Sequence, residues 1–129
     1  MCTTGAIDLT TTVGSPTYAV GQMPILGVHV RNTGAAPCAK DVSGKVQVFT
    51  AYDADGKRIW STDDCVPGSG TEIRYLQVGE GLQYNIKWSG TTSQPGCAGD
   101  RLQVPAGDYR IVATVAGQKA TPVTLTFTP

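Results

Sequence analysis

The stretch Leu82-Gln83-Tyr84-Asn85-Ile86-Lys87-Trp88 decides the fold. Apolar Leu82, Tyr84, Ile86 and Trp88 alternate strictly with polar Gln83, Asn85 and Lys87. A period of two puts the two sets on opposite faces of a β-strand, one toward a core and one toward water. Val78-Gly79-Glu80-Gly81 turns the chain into this strand. The same alternation recurs upstream over Ile25–Asn32, where Leu26, Val28 and Val30 oppose Gly27, His29 and Arg31, and Asn32-Thr33-Gly34 supplies the turn that ends it. Ile7, Leu9 and Val13 oppose Asp8, Thr10 and Thr12 in a first strand, which Gly14-Ser15-Pro16 breaks. Residues 18–22 read as a connector.

Residues 45–52 and 57–61 are predicted to be two strands of a hairpin around Asp53-Ala54-Asp55-Gly56, with Gly56 free to take a positive φ. Residues 63–70 read as a loop and 71–76 as a weaker strand. After a long loop over 89–101, Pro105-Ala106-Gly107 introduces a strand over 108–116, and Gly117-Gln118-Lys119 turns it back. The last strand alternates Val123, Leu125 and Phe127 with Thr124, Thr126 and Thr128. About eight short strands with turns between them, and no helical period, predict an all-β fold: an antiparallel two-sheet sandwich. The 129 residues contain no internal repeat or linker, so one domain spans residues 1–129.

Ten basic and ten acidic residues cancel. A neutral chain lacks the basic stripe that meets phosphates, so no nucleic-acid partner is expected. It equally lacks a polybasic membrane-binding patch. No segment approaches the ~20 apolar residues of a membrane span, so any membrane contact runs through an anchor outside this chain. Met1 directly before Cys2 leads us to expect a native chain that continues upstream, with a signal or anchor removed.

The four cysteines are Cys2, Cys38, Cys65 and Cys97. An even count in a small chain rich in glycine and threonine points to two disulfides and an oxidising compartment. Cys2 precedes the first strand and Cys38 follows its antiparallel partner, so both lie at one end of a strand pair. Cys65 and Cys97 then pair, each in a loop after a strand. Each bridge closes about 30–40 residues, worth ~3–4 kcal/mol in the chain-entropy model. A lipidated Cys2 is the rival, but it leaves an odd thiol among the other three. Zinc is disfavoured because there is no CxxC and a single histidine.

Catalytic constellations are poorly served. A Ser/His/Asp hydrolase needs a histidine between an acid and a nucleophile. His29, the only histidine, sits mid-strand on the polar face. Glu72 and Glu80 are the only glutamates, and a loop position explains Asp63 and Asp64 without glycosidase chemistry. Asp53, Asp55 and Gly56 resemble the opening of a calcium loop, but position 12 is Asp64 rather than glutamate, so a hairpin turn is the better account. No catalytic residue, cofactor or metal is expected.

Among the aromatic residues Trp60, Trp88, Tyr75, Tyr84 and Tyr109, the apolar-face positions of Trp88, Tyr84 and Tyr109 read as core. Trp60, near the end of its strand, is expected to be partly exposed. The loop over 89–101 is long for a connection between strands, and such loops often carry function. The candidate binding surface is therefore Trp60, Asp63 and Asp64 with Ser93, Gln94, Pro95 and Arg101. It gathers at one end of the molecule if Cys65 bonds Cys97.

The phrases "YAVGQMPILGVHVRNTG", "YDADGKRIWS", "LQVGEGLQYNIKWSG" and "VPAGDYRIVATVAG" resemble the strands and turns of bacterial Ig-like domains. The likeness is nearest to domains of actinobacterial cell-envelope proteins of uncharacterised function. It covers essentially the whole chain and sets all four cysteines against their neighbours. A more distant similarity is to the intracellular proteinase inhibitor domain of bacilli, from whose pattern the four cysteines depart. The resemblance implies an Ig-like sandwich outside the cytoplasm and no catalytic residues. The function expected is a non-catalytic interaction or spacer module of a bacterial cell envelope. Its partner would be an envelope protein or a cell-wall glycan, and proteinase inhibition is the alternative.

Overall fold

The computed structural model describes residues 1–65 and 67–129. In chain order the strands are β1 (Ile7–Val13), β2 (Thr17–Ala19), β3 (Ile25–Asn32), β4 (Cys38–Asp41), β5 (Gln47–Tyr52) and β6 (Arg58–Ser61). One helical turn, α1 (Thr62–Cys65), follows. Then come β7 (Ile73–Leu76), β8 (Gly81–Lys87), β9 (Gly107–Val115), β10 (Gln118–Lys119) and β11 (Val123–Thr128).

The chain is mostly β, arranged in several sheets. β3 is the centre of a three-stranded sheet, flanked by β1 and β8. A second sheet has the order β2-β11-β9-β5-β6, with β10 pairing off β9, and β4 and β7 form a separate ribbon. Pairing is antiparallel with one exception among the strands: β2 runs parallel to β11, through Thr17↔Thr126 and Tyr18↔Phe127. A wholly antiparallel arrangement, expected from the sequence, is corrected at this strand. β2 also occupies the segment read as a connector.

The alternation predicted for β3 holds. Leu26, Val28 and Val30 are fully buried, and they join Ile111, Ala113, Val115, Phe49, Leu125 and Phe127 from the second sheet in one core. The registers explain this. Val28 stands opposite Thr11 of β1 and Tyr84 of β8, so a neighbour covers it on both sides. Aromatic rings fill the centre. Trp60 and Trp88 stack with ring centroids 5.0 Å apart, and Phe127 meets Trp88 and Tyr109 edge-on at 5.7 Å. Offset and edge-on arrangements match the charge distribution of aromatic rings.

Thr11 and Asn32, polar groups inside this core, are partnered through the backbone, whereas the buried Ser43 hydroxyl has no partner among the described residues. Thr11 Oγ1 accepts the Ala113 N–H at 3.0 Å, tying β1 to the second sheet. Buried Asn32 donates to the carbonyls of Ala36 and Leu76 and accepts the Gly34 N–H. The turn predicted at Asn32-Thr33-Gly34 therefore also anchors β7. Gly56 closes the β5–β6 hairpin at φ 82°, and Asp53 Oδ1 accepts the N–H groups of Asp55 and Lys57.

Both disulfides form as the sequence pairs them: Cys2–Cys38 and Cys65–Cys97, with sequence separations of 36 and 32. Two disulfides in so small a chain point to an oxidising, extracytoplasmic environment. No helix among the described residues is long and apolar enough to cross a membrane.

Candidate binding surface

The end of β6 builds this region. Ser61 is its last residue, and Thr62–Cys65 then wind into α1. The Asp63 N–H donates to Ser61 Oγ at 3.3 Å, the local reason a turn starts here, since a serine side chain readily takes an unpaired N–H at a helix start. The turn delivers Cys65 to Cys97 in the long loop, so the two loops are covalently joined.

The long loop is more ordered than its composition implies. The Thr92 N–H donates to the Leu102 carbonyl at 2.8 Å, the Val104 N–H to Gly90 at 3.0 Å, and Thr91 pairs with Gln103. These contacts fold residues 90–104 into a small hairpin. Its first arm lies along the outer edge of β6, where the Ser93 N–H donates to the Ile59 carbonyl at 2.9 Å. That arm covers the edge strand, which would otherwise offer unpaired backbone to other chains.

A buried polar node holds the arm in place. Arg58 Nη2 donates to Asp64 Oδ1 at 2.6 Å, and Ser93 Oγ donates to Asp64 Oδ2 at 2.5 Å. The Ser61 N–H in turn donates to Ser93 Oγ at 3.2 Å. Burial alone would raise the Asp64 carboxyl, but the bonds from Arg58 and Ser93 outweigh it and hold the group below its ordinary range.

This arrangement corrects three of the expected surface residues. Trp60 is only 5% exposed, because it stacks on Trp88 beneath the loop hairpin. Asp64 and Ser93, at 7% and 5%, are parts of the node rather than contact residues. Asp63, Gln94, Pro95 and Arg101 are exposed, and the disulfide ties their two loops together alongside β6. The chain from Gln94 to Gln103 is exposed without interruption. Arg58 is the residue that sequence reasoning missed. Nothing in its neighbourhood signals a partner six residues on, since Asp64 reaches it only through α1.

Two hollows flank the loop hairpin. One, of about 290 Å³, is walled by Trp60, Ile86 and Cys65 and rimmed by Lys87, Ser89 and Arg101. The other, of about 420 Å³, lies against β6, where Ile59, Gln94, Pro95 and Leu102 line it. Arg101 is held in place by neutral groups: Nε donates to the Thr92 carbonyl at 3.3 Å and Nη2 to Ser89 Oγ at 3.1 Å. His29 lies on the outer face of β3, opposite Thr10 and Gln83. Among the described residues, no group of three or more His, Cys, Asp or Glu is placed to hold a metal.

No family model and no curated protein matches the sequence. Solved structures do resemble the fold. A β-glucosidase from Erythrobacter marinus matches at a TM-score of 0.57 and 15% identity, over 95% of this chain and 15% of that one. A β-glucosidase from Listeria innocua in complex with glucose matches at 0.53 and 11%, over 95% of this chain and 16% of that one. The Pseudomonas fluorescens alkylpurine DNA glycosylase AlkC, bound to DNA containing an abasic site analog, matches at 0.55 and 9%, over 96% and 31%. The chain thus spans under a third of each of these proteins, and at these identities the likeness shows the fold alone.

Proposed function

We propose that this domain is an Ig-like β-sandwich that serves as a non-catalytic interaction module of a bacterial cell envelope, with its contact surface at the loops joined by Cys65–Cys97. Tyr109 supports the Ig-like reading. It stands near the start of β9, and its hydroxyl donates to the Pro105 carbonyl, four residues upstream, at 2.6 Å. This is the arrangement of a tyrosine corner in Ig-type sandwiches. The non-catalytic reading draws on the similar structures. The same architecture occurs within two glucosidases and a DNA glycosylase, so it belongs to no single chemistry.

One observation carries the contact surface. An uninterrupted exposed segment, Gln94 to Gln103, is pinned by a disulfide, by the backbone bond from Ser93 to Ile59 of β6 and by the bond from Ser93 to the buried Asp64, which Arg58 pairs. A loop ordered before binding loses little entropy when it binds, which is what a recognition surface needs. Proteinase inhibition fits this loop less well. Gly96, Cys97 and Gly99 adopt φ of 71°, 57° and 70°, whereas a protease cleft takes an extended strand.

The test is capture from solubilised envelope proteins and, separately, from purified cell wall, with the oxidised domain as bait. The reading expects a specific protein partner that is lost when residues 94–100 are replaced by a glycine-serine segment of equal length. Binding to wall alone would replace it with a glycan-binding role. Capture that survives loop replacement would remove the loop from the account.

A further inference from the structure

We propose that the hollow beside Arg101 binds the free carboxyl terminus of an extended peptide that ends in an apolar residue. The proposal rests on the interaction-module reading and names the chemistry of its partner. Three observations lead to it. The first is charge. Lys87 and Arg101 both rim the hollow, and among the described residues neither makes an ion pair; the two pairs present are Arg58–Asp64 and Arg74–Glu72. The neighbouring carboxylates offer no neutralisation. Asp64 is spent on Arg58, and Asp63 and Asp100 lie beyond ion-pair distance of both cations.

The second observation is shape. Beside the cations the hollow is lined by Trp60, Ile86 and Cys65, with Ser61, Thr62 and Ser89, and has a volume of about 290 Å³. That volume lies at the lower limit for ligand sites and admits about one amino-acid side chain with its carboxylate. Arg101 is already oriented by Ser89 and Thr92, both neutral, so its remaining N–H groups can meet a carboxylate in the two-pronged fashion guanidinium favours.

The third observation selects a peptide rather than a sugar. Trp60 has one face on Trp88 and is almost fully buried, so it offers no flat platform for a sugar ring. By contrast, β8, which carries Ile86 and Lys87, is the last strand of its sheet and pairs only with β3. A free strand edge leading to a cationic hollow suits a strand-like peptide, whose backbone adds to the edge and whose terminus is captured by charge.

The probe is a pool of acetylated hexapeptides ending in leucine, phenylalanine or valine, supplied as free acids and, separately, as C-terminal amides. The oxidised domain is titrated with each pool, following Trp fluorescence and amide NMR shifts at Ile86, Lys87 and Arg101. The free acids should bind about tenfold or more tightly than the amides, as expected when a charge-assisted pair is lost. Arg101→Gln should remove that preference, and Arg101→Lys should restore part of it. Equal binding of acids and amides, or no binding of either up to millimolar concentration, overturns the proposal. So do shifts at these residues caused equally by glucuronate or acetate. If Arg101→Gln leaves envelope capture intact while loop replacement abolishes it, the carboxylate site fails and the interaction module stands.

Discussion

β3 and β8 lie side by side and carry the same alternation, yet they are buried to different depths. Leu26, Val28 and Val30 of β3 are fully buried, whereas Leu82, Tyr84 and Ile86 of β8 are half-buried. The difference lies in position. β3 has a strand on each side, and β8 has one only on its β3 side. A period of two tells which face meets the core, but not whether a neighbour closes the side of the strand. The molecule is therefore sealed at β3 and open along β8, and the hollow rimmed by Lys87 and Arg101 lies on that open side.

The largest expected effect separates the two disulfides. Replacing either cysteine pair by serine should cost about 4 kcal/mol, since the two loops are nearly equal in length. Chemical denaturation checks this. Partner capture should differ: loss of Cys2–Cys38 leaves it intact where the variant remains folded, and loss of Cys65–Cys97 abolishes it. Next comes the contrast between the strands themselves. Leu26→Ala should cost about 3 kcal/mol and Leu82→Ala about 1 kcal/mol, because a half-buried site yields less on truncation. Equal costs would show that the β8 edge is covered in solution.

The acid limb of stability gives a third comparison. Asp64 sits below its ordinary range in the folded protein, so its contribution is present above about pH 4 and is lost as pH falls through the lowered value. Asp41, lowered by the N–H groups of Ser43 and Glu72, acts with the same sign. Asp64→Asn should cost about 1–2 kcal/mol at pH 7 and close to nothing at pH 2, flattening the pH dependence. The smallest effect is Tyr109→Phe, about 1 kcal/mol for one hydrogen bond. A neutral result there would weaken the tyrosine-corner argument.

Much of this fold could be read from alternation. β1, β3, β8 and β11 stand where period two puts them, and the β5–β6 hairpin closes at Gly56 as its turn residues require. β4 escaped because Cys38, Ala39, Lys40 and Asp41 are all half-buried, which leaves no inside–outside contrast to detect. β2 escaped because three residues between Pro16 and Gly21 are too few to show a period. Of the candidate surface, the joining of its two loops was legible and its composition was not. Cysteine spacing joined the correct loops. However, Trp60 went inside because residues some thirty positions later fold over β6, and no local pattern in residues 57–61 carries that information.

The most direct test of the account places a photo-crosslinking amino acid at position 95, in the loop hairpin, and at position 17, in β2. Both positions are exposed; the loop hairpin lies along β6, and β2 and β6 are the opposite edges of the second sheet. Irradiation of the oxidised domain in an envelope extract should give a discrete protein adduct from position 95 and none from position 17. Adducts from position 17 alone, or the same adducts from both, would contradict a contact surface at the disulfide-joined loops.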